Sequence, residues 1–268
     1  MQKTILITGS TDGIGLETAK MLASDGHNIL LHGRNQEKLK KIKKILLEIK
    51  GGGSVEIYLA DLSVIANVEV FAKAVIEKHS KLDVLINNAG VYNAKEPFTK
   101  DGLDIRFAVN TIAPYLLTKR LLSILDNSGR VINLSSAAQS TVQEEALYGK
   151  LKLSDGAAYA QSKLALTMWS CSLALSLKEN NPIIIAINPG SFLGSKMVKQ
   201  AFGVTGGDIG IGAEILTKAA LMDQFKNASG KYFDNDLGKF ASPHIDALNT
   251  TKCQEIVSII EKILAKYI

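Results

Sequence analysis

Short apolar runs alternate with longer segments whose apolar positions recur at helical spacing along nearly the whole chain. Thr4–Thr8 reads as a strand, followed by a helix from about Gly13 to Ser24. Asn28–His32 is a second strand, with the helix Glu37–Lys50 after it. Gly51-Gly52-Gly53 ends that helix and leads to a third strand, Val55–Ala60. A helix over Val68–His79 precedes a fourth strand, Val84–Asn87, and a helix over Leu103–Leu125 precedes a fifth, Arg130–Leu134. The helix Ala157–Lys178 leads to a sixth strand, Ile183–Asn188, and Lys231–Phe233 is a short candidate for a seventh. Strands apolar on both faces and separated by helices predict a mostly parallel, seven-stranded sheet with helices on both sides. No linker-like stretch, charge block or internal repeat divides residues 1–268, so the α/β pattern reads as a single doubly wound domain.

Composition changes this picture little. The 268 residues are 46% hydrophobic and 21% charged, an ordinary globular balance. The formal net charge of +5 raises the question of nucleic acid. However, Lys38, Lys40, Lys41, Lys43, Lys44 and Lys50 surround Leu39, Ile42, Ile45, Leu46 and Ile49 at helical spacing. They form the solvated side of an amphipathic helix, with no interleaved aromatics to stack on bases. The longest strongly apolar run, Ile183–Ile187, is far too short to span a bilayer, and a first strand beginning at Thr4 leaves no space for a signal core. Cys171 and Cys253 lie in helical stretches and argue against a disulfide framework. The expectation is a cytoplasmic protein without an integral membrane segment.

Two motifs bring in chemistry. The run Thr8-Gly9-Ser10-Thr11-Asp12-Gly13-Ile14-Gly15 joins the first strand to the first helix. A glycine-rich turn there lets backbone N–H groups approach a pyrophosphate at the positive end of the helix. Its G-x3-G-x-G spacing differs from the common G-x-G-x-x-G, and its position carries the assignment. The second strand ends in His32-Gly33-Arg34-Asn35, with no carboxylate until Glu37. Arg34 suits a ribose 2′-phosphate, so NADP(H) is favoured over NAD(H). Asp61, followed by Leu62 at the end of the third strand, is placed to accept a hydrogen bond from an adenine amino group, or to cap a turn. In the second motif, Tyr159 and Lys163 share one helix face at i and i+4. A neighbouring cation favours the phenolate, which suits a general acid/base.

These residues resemble the short-chain dehydrogenase/reductase family. The matches are Thr8–Gly15, Asn87-Asn88-Ala89-Gly90, Asn110, Ser135-Ser136, Tyr159–Lys163 and Pro189-Gly190, in the family's order. Asp101-Gly102-Leu103-Asp104, Val109-Asn110, Gly230-Lys231-Tyr232-Phe233 and Ser242-Pro243 look like the retinol-dehydrogenase-like branch. The resemblance implies a Rossmann fold and NADP(H)-linked interconversion of a carbonyl and an alcohol on a small, often apolar substrate. It also admits a homodimer or homotetramer built through the helices near 103–125 and 157–178. By resemblance, Asn110, Ser136, Tyr159 and Lys163 form the catalytic tetrad. Tyr159 exchanges the proton, Lys163 lowers its pKa and holds the nicotinamide ribose, Ser136 donates to the substrate oxygen and Asn110 positions a water. Gly9, Ser10, Thr11, Gly13, Ile14, Gly15, Asn88, Ala89, Gly90, Pro189 and Gly190 join Arg34, Asp61, Leu62, Tyr159 and Lys163 in holding the cofactor.

Ser135 rivals Ser136, but strand alternation allows only one of them to face the cofactor. Tyr148 and Lys152 form a second Y-x3-K pair, closer to Ser136 and at the spacing of many simple family members. Gly149 and the loop-like residues after it speak against a helix there, whereas Tyr159 opens a long apolar helix. Tyr148 is then a candidate for the mouth of the pocket. Gly194 stands where the family usually has a threonine after Pro189-Gly190, with Ser195 as a substitute one position on. The segment of about 191–212, with Phe192, Met197, Phe202 and several glycines, reads equally as a mobile apolar-faced lid or as a surface loop. No paired His/Cys spacing suggests a metal, and Ser135-Ser136 lacks the glycines of a nucleophile elbow. A non-catalytic NADP(H) sensor and a carbon–carbon double-bond reductase remain as alternatives on the same fold.

Overall fold

The first strand, β1 (Thr4–Ile7), sends Ile5 and Ile7 to one side of the sheet and Leu6 to the other, and each side is closed by its own layer of helices. The computed structural model describes residues 1–177 and 181–268. On one side, α1 (Gly13–Ser24), α2 (Gln36–Leu47) and α9 (Gly210–Leu221) cover Ile5, Ile7, Val84 and Ile86. On the other, α3 (Ile65–Lys78), α5 (Ala113–Leu121), α7 (Asp155–Ser176) and α10 (Thr250–Leu264) cover Leu6, Leu85 and Val131. The period of two in the strands and of 3.6 in the helices therefore meet in two apolar layers.

The remaining strands are β2 (Asn28–Gly33), β3 (Val55–Leu59), β4 (Val84–Asn87), β5 (Arg130–Leu134), β6 (Ile183–Asn188), β7 (Tyr232–Asp234) and β8 (Lys239–Ala241). Their order is β3-β2-β1-β4-β5-β6-β7-β8, parallel except for β8. The order reverses between β1 and β4, and such a switch opens a crevice beyond the carboxyl ends of the strands. The sheet has one strand more than the seven predicted. β8 is a three-residue edge strand returned by a turn with Gly238 at φ +64°, too short to show a period of two. Phe240 anchors it against Phe225 and Phe233.

The helix predicted over 103–125 is broken into pieces. α4 (Ile105–Phe107) runs into a π-helical turn (Ala108–Ile112), then α5, then a short 3-10 turn at Leu122–Ile124. Pro114 has no N–H to return to the Asn110 carbonyl, so the regular register cannot pass through this point. The last residue of the predicted helix 157–178 lies outside the described residues. At β5, Arg130 Nη1 donates to the carbonyls of Ala219 (2.7 Å) and Met222 (2.8 Å), placing a cation at the carboxyl end of α9. Among the described residues, no helix is long and apolar enough to cross a membrane.

Candidate active site

Ser154 caps α7, and Tyr159 and Lys163 then follow on one face, lining the crevice at the sheet's switch point. The helix is locked to the π-helical turn by polar contacts. Asn110 Nδ2 donates to Ser162 Oγ at 2.9 Å, and Thr111 Oγ1 donates to the Ser162 carbonyl at 2.8 Å. The Asn110 amide is otherwise spent on Val91, accepting from its N–H (2.8 Å) and donating to its carbonyl (3.0 Å). Lys163 Nζ donates to the Leu134 carbonyl at 2.6 Å and lies 5.7 Å from the Tyr159 ring centroid. Burial brings Lys163 down to about 8. Burial likewise pushes the Tyr159 phenol above its ordinary value, while its hydrogen bond with Ser136 pulls the other way.

The crevice lining includes Ser135 and not the expected Ser136, whose hydroxyl accepts from the Ala138 amide at 3.1 Å and is hydrogen-bonded to Tyr159. The Ser135 hydroxyl is buried and paired with Thr167 Oγ1 at 2.7 Å, although the residue lines the crevice floor. Tyr148 and Lys152 do not share a helix face, because α6 (Glu144–Leu147) ends at Tyr148 and Gly149 turns away at φ +75°. Tyr148 packs on the core rather than lining the crevice.

The glycine turn forms the next part of the crevice. Gly9 sits at φ +65°, where a Cβ would fall 2.9 Å from the Ala89 Cα. A Cβ on Gly15 would fall 2.3 Å from Asn88 Nδ2, so this glycine admits the asparagine rather than a ligand. Asn88 Nδ2 donates to the carbonyls of Thr8 (2.8 Å) and Gly9 (3.1 Å), and Thr8 Oγ1 accepts from the Asn88 and Ala89 amides. Ser10 is wholly buried with its hydroxyl on the His32 backbone, so its side chain is turned away from the crevice. Thr11, Gly13 and Ile14 line it. Asp12 accepts from the Gly13 N–H at the start of α1 and pairs with Lys196 and with Lys38 (3.6 Å). Partial burial favours the neutral acid, yet Lys196, the Gly13 amide and Lys38 together hold this carboxyl below its ordinary range.

Arg34, Lys38, Asp61 and Leu62 close the far end of the same crevice. Asp61 Oδ1 accepts from the Ser63 amide (2.9 Å) and hydroxyl (2.7 Å), a turn-capping role alongside its place on the wall. At the other end, Gly90 faces Asn110 Oδ1, Lys163 Nζ and Met197 Cε, each between 3.6 and 3.7 Å from where its Cβ would stand. Pro189 lines the crevice, and Gly190 adopts φ +123° beside Leu193. A crevice with a helix amino end, glycines that admit close approach and two cations at its far end fits a dinucleotide carrying an extra phosphate.

The 191–212 segment closes one wall. Leu193 and Gly207 form a β-bridge, and α8 (Lys196–Phe202) starts at Ser195, whose hydroxyl accepts from the Val198 amide at 3.2 Å. Ser195 lines the crevice, but this cap occupies its hydroxyl. The apolar inner face comes from Leu193 and Met197, whereas Phe192 is 57% exposed with φ +51°. The Phe202 side chain lies outside the described residues. His32, Lys38 and Lys196 also line the crevice. His32 had one signal in the sequence, a polar side chain in an apolar strand, whereas nothing local to Lys196 marks it.

Residues 3–203 match the family described as short chain dehydrogenase. Retinol dehydrogenase 13 of Mus musculus is 32% identical over 263 residues, covering 91% of this chain and 79% of its own length. A solved structure from Mycobacterium paratuberculosis superposes with a TM-score of 0.80 at 25% identity, covering 98% of this chain and 94% of that one. A short chain dehydrogenase from Shigella flexneri, solved with NADP, gives 0.69 at 26% identity over 87% and 97%. The chain belongs to the short-chain dehydrogenase family of oxidoreductases, in its retinol-dehydrogenase-like branch.

Proposed function

We propose that this chain is an NADP(H)-dependent oxidoreductase that interconverts a carbonyl and an alcohol on an apolar substrate. One observation carries the reading: Tyr159 and Lys163 line the same crevice as the glycine turn, with Ser136 hydrogen-bonded to Tyr159. A donor to a developing alkoxide is thus held beside a cofactor groove. The glycine turn, Asn88, Ala89, Gly90 and Pro189 would hold the pyrophosphate and nicotinamide portions. Arg34 would take the 2′-phosphate and Asp61 the adenine. NADP(H) supplies or takes up the hydride. Tyr159 gives its proton to the reduced carbonyl or removes one from the alcohol, with Ser136 orienting the substrate oxygen.

Lys163 sets the local positive charge. The Asn110 side chain is committed to Val91, which leaves its backbone carbonyl, lacking a return bond from Pro114, as the group to hold a proton-relay water. Val91, Ile105, Val109 and Met197 line the crevice and support an apolar substrate. The relative named for retinol points to the same class.

The test is NADPH oxidation followed across a panel of aldehydes and ketones, repeated with NADH and with Tyr159→Phe. Turnover of some panel member by the wild type and its loss in the variant is the expected result. Equal turnover by both proteins would remove Tyr159 from the reaction. NADPH binding without turnover of any substrate would favour a sensor.

A further inference from the structure

His32 is a histidine at the end of an otherwise apolar strand, only 3% exposed, with its ring stacked on Phe71 at 4.8 Å. Each ring nitrogen meets a backbone group from a different part of the crevice. The Gly9 N–H donates to Nδ1 at 3.1 Å, and Nε2 lies 3.2 Å from the Ala60 carbonyl. An amide can only donate and a carbonyl can only accept, so the two contacts together assign the proton to Nε2. Burial holds this imidazole down to about 4, with Asp61 the charged group acting against that shift, so the ring is neutral and Nδ1 keeps its lone pair.

One rigid ring therefore spans the glycine turn and the residue before Asp61. Gly9 occupies a left-handed conformation pressed against Ala89, a position where a small rotation would re-aim every amide that follows it. On the reading of the crevice as an NADP(H) site, we infer that His32 is a positioning residue for the cofactor. Its neutral imidazole fixes the phosphate-binding turn by accepting from the Gly9 N–H, while the Nε2 contact with the Ala60 carbonyl orients the ring. The backbone of His32 is tied separately to Ser10, accepting from its amide at 3.0 Å and donating to its hydroxyl at 3.0 Å. Substitutions of the ring therefore leave these ties between β1 and β2 in place.

Three variants separate positioning from simple packing. In His32→Asn, Oδ1 stands close to where Nδ1 was and can accept from Gly9. In His32→Gln, the amide reaches the Nε2 position instead, and His32→Leu keeps neither contact. The dissociation constant for NADPH is measured by fluorescence titration, beside thermal melting and kcat at saturating cofactor. His32→Asn is expected within a few-fold of wild type, whereas His32→Gln and His32→Leu bind roughly tenfold more weakly, the scale of one lost hydrogen bond. In turnover assays the loss is expected mainly in the KM for NADPH and less in kcat at saturating cofactor. Equal NADPH affinity in all three variants, or affinity that follows melting temperature regardless of which nitrogen is mimicked, would overturn the inference while leaving the cofactor reading intact. Failure of the wild type itself to bind NADPH would remove both.

Discussion

Lys163 Nζ donates to the Leu134 carbonyl at 2.6 Å and stands 5.7 Å from the centroid of the Tyr159 ring one helical turn earlier. The ammonium is thus anchored to the end of β5, beside the phenol it accompanies. Tyr92 packs on Tyr159, with ring centroids 4.8 Å apart. The phenol ring thus neighbours both a cation and a second ring.

Burial lowers Lys163 from its ordinary 10.5 to about 8. Between those values the unfolded chain holds a proton that the folded chain has released, so folded-state stability contributed by this group rises with pH. Melting of the wild type and of Lys163→Met should be compared from pH 7.5 to 9.5. The wild type is expected to gain relative to the variant across this window. A constant difference would mean that the folded pKa is not depressed.

Tyr159→Phe keeps the ring and removes the proton donor. Turnover is expected to fall roughly 10²–10⁴-fold, the usual contribution of general acid/base catalysis. The NADPH dissociation constant should change little, as titration of the same preparation would show.

Arg34 is exposed at the far end of the crevice. Arg34→Gln should weaken NADPH binding by roughly ten- to a hundredfold, the scale of a charge-assisted hydrogen bond, and leave NADH binding unchanged. A parallel loss for both cofactors would take the 2′-phosphate away from Arg34.

The turn glycines should differ in kind. Gly13 is at φ +60° with only Ile209 Cδ1 near its missing side chain, at 3.9 Å. Gly13→Ala should therefore cost only the left-handed conformation, about 1–2 kcal/mol. At Gly15, an added Cβ meets Asn88 Nδ2 at 2.3 Å and the Gly9 carbonyl at 2.7 Å. Gly15→Ala must displace Asn88, and should weaken NADPH binding as well as lower the melting temperature. Unaltered NADPH affinity in Gly15→Ala would show that the turn does not depend on Asn88.

Arg106 is fully buried and joins two helices. Its Nη2 lies 2.6 Å from Asp104 Oδ2, and its Nη1 2.5 Å from Asp155 Oδ1 at the start of α7. Arg106→Met leaves the buried Asp104 carboxylate without its partner, and should destabilise the fold by about 3–5 kcal/mol in chemical denaturation. Asp104→Asn combined with Arg106→Met should recover part of that loss. No recovery in the double variant would show that the unpaired carboxylate is not the source.

Much of the fold lies in local pattern. The alternation of strands and helices, the i and i+4 relation of Tyr159 and Lys163 and the glycine turn at the end of β1 depend on near neighbours, so they can be read along the chain. That Tyr148 and Lys152 do not share a helix face was legible for the same reason, since Gly149 ends a helix where that pair needed one. β8 was not legible, because three edge residues show no periodicity and owe their place to Phe225 and Phe233.

The tertiary structure alone decided how these parts act together. It assigned Gly15 to the admission of Asn88, turned Ser10 away from the crevice, directed the Asn110 amide to Val91 and gave the 191–212 segment an inner face of Leu193 and Met197 in place of Phe192. It also buried His32 between Gly9 and Ala60 and joined Lys196 to Asp12. Each is a contact between residues far apart in sequence. Residue type and spacing set which atoms can bond, but only the packed chain brings donor and acceptor within reach and excludes the water that would otherwise satisfy them.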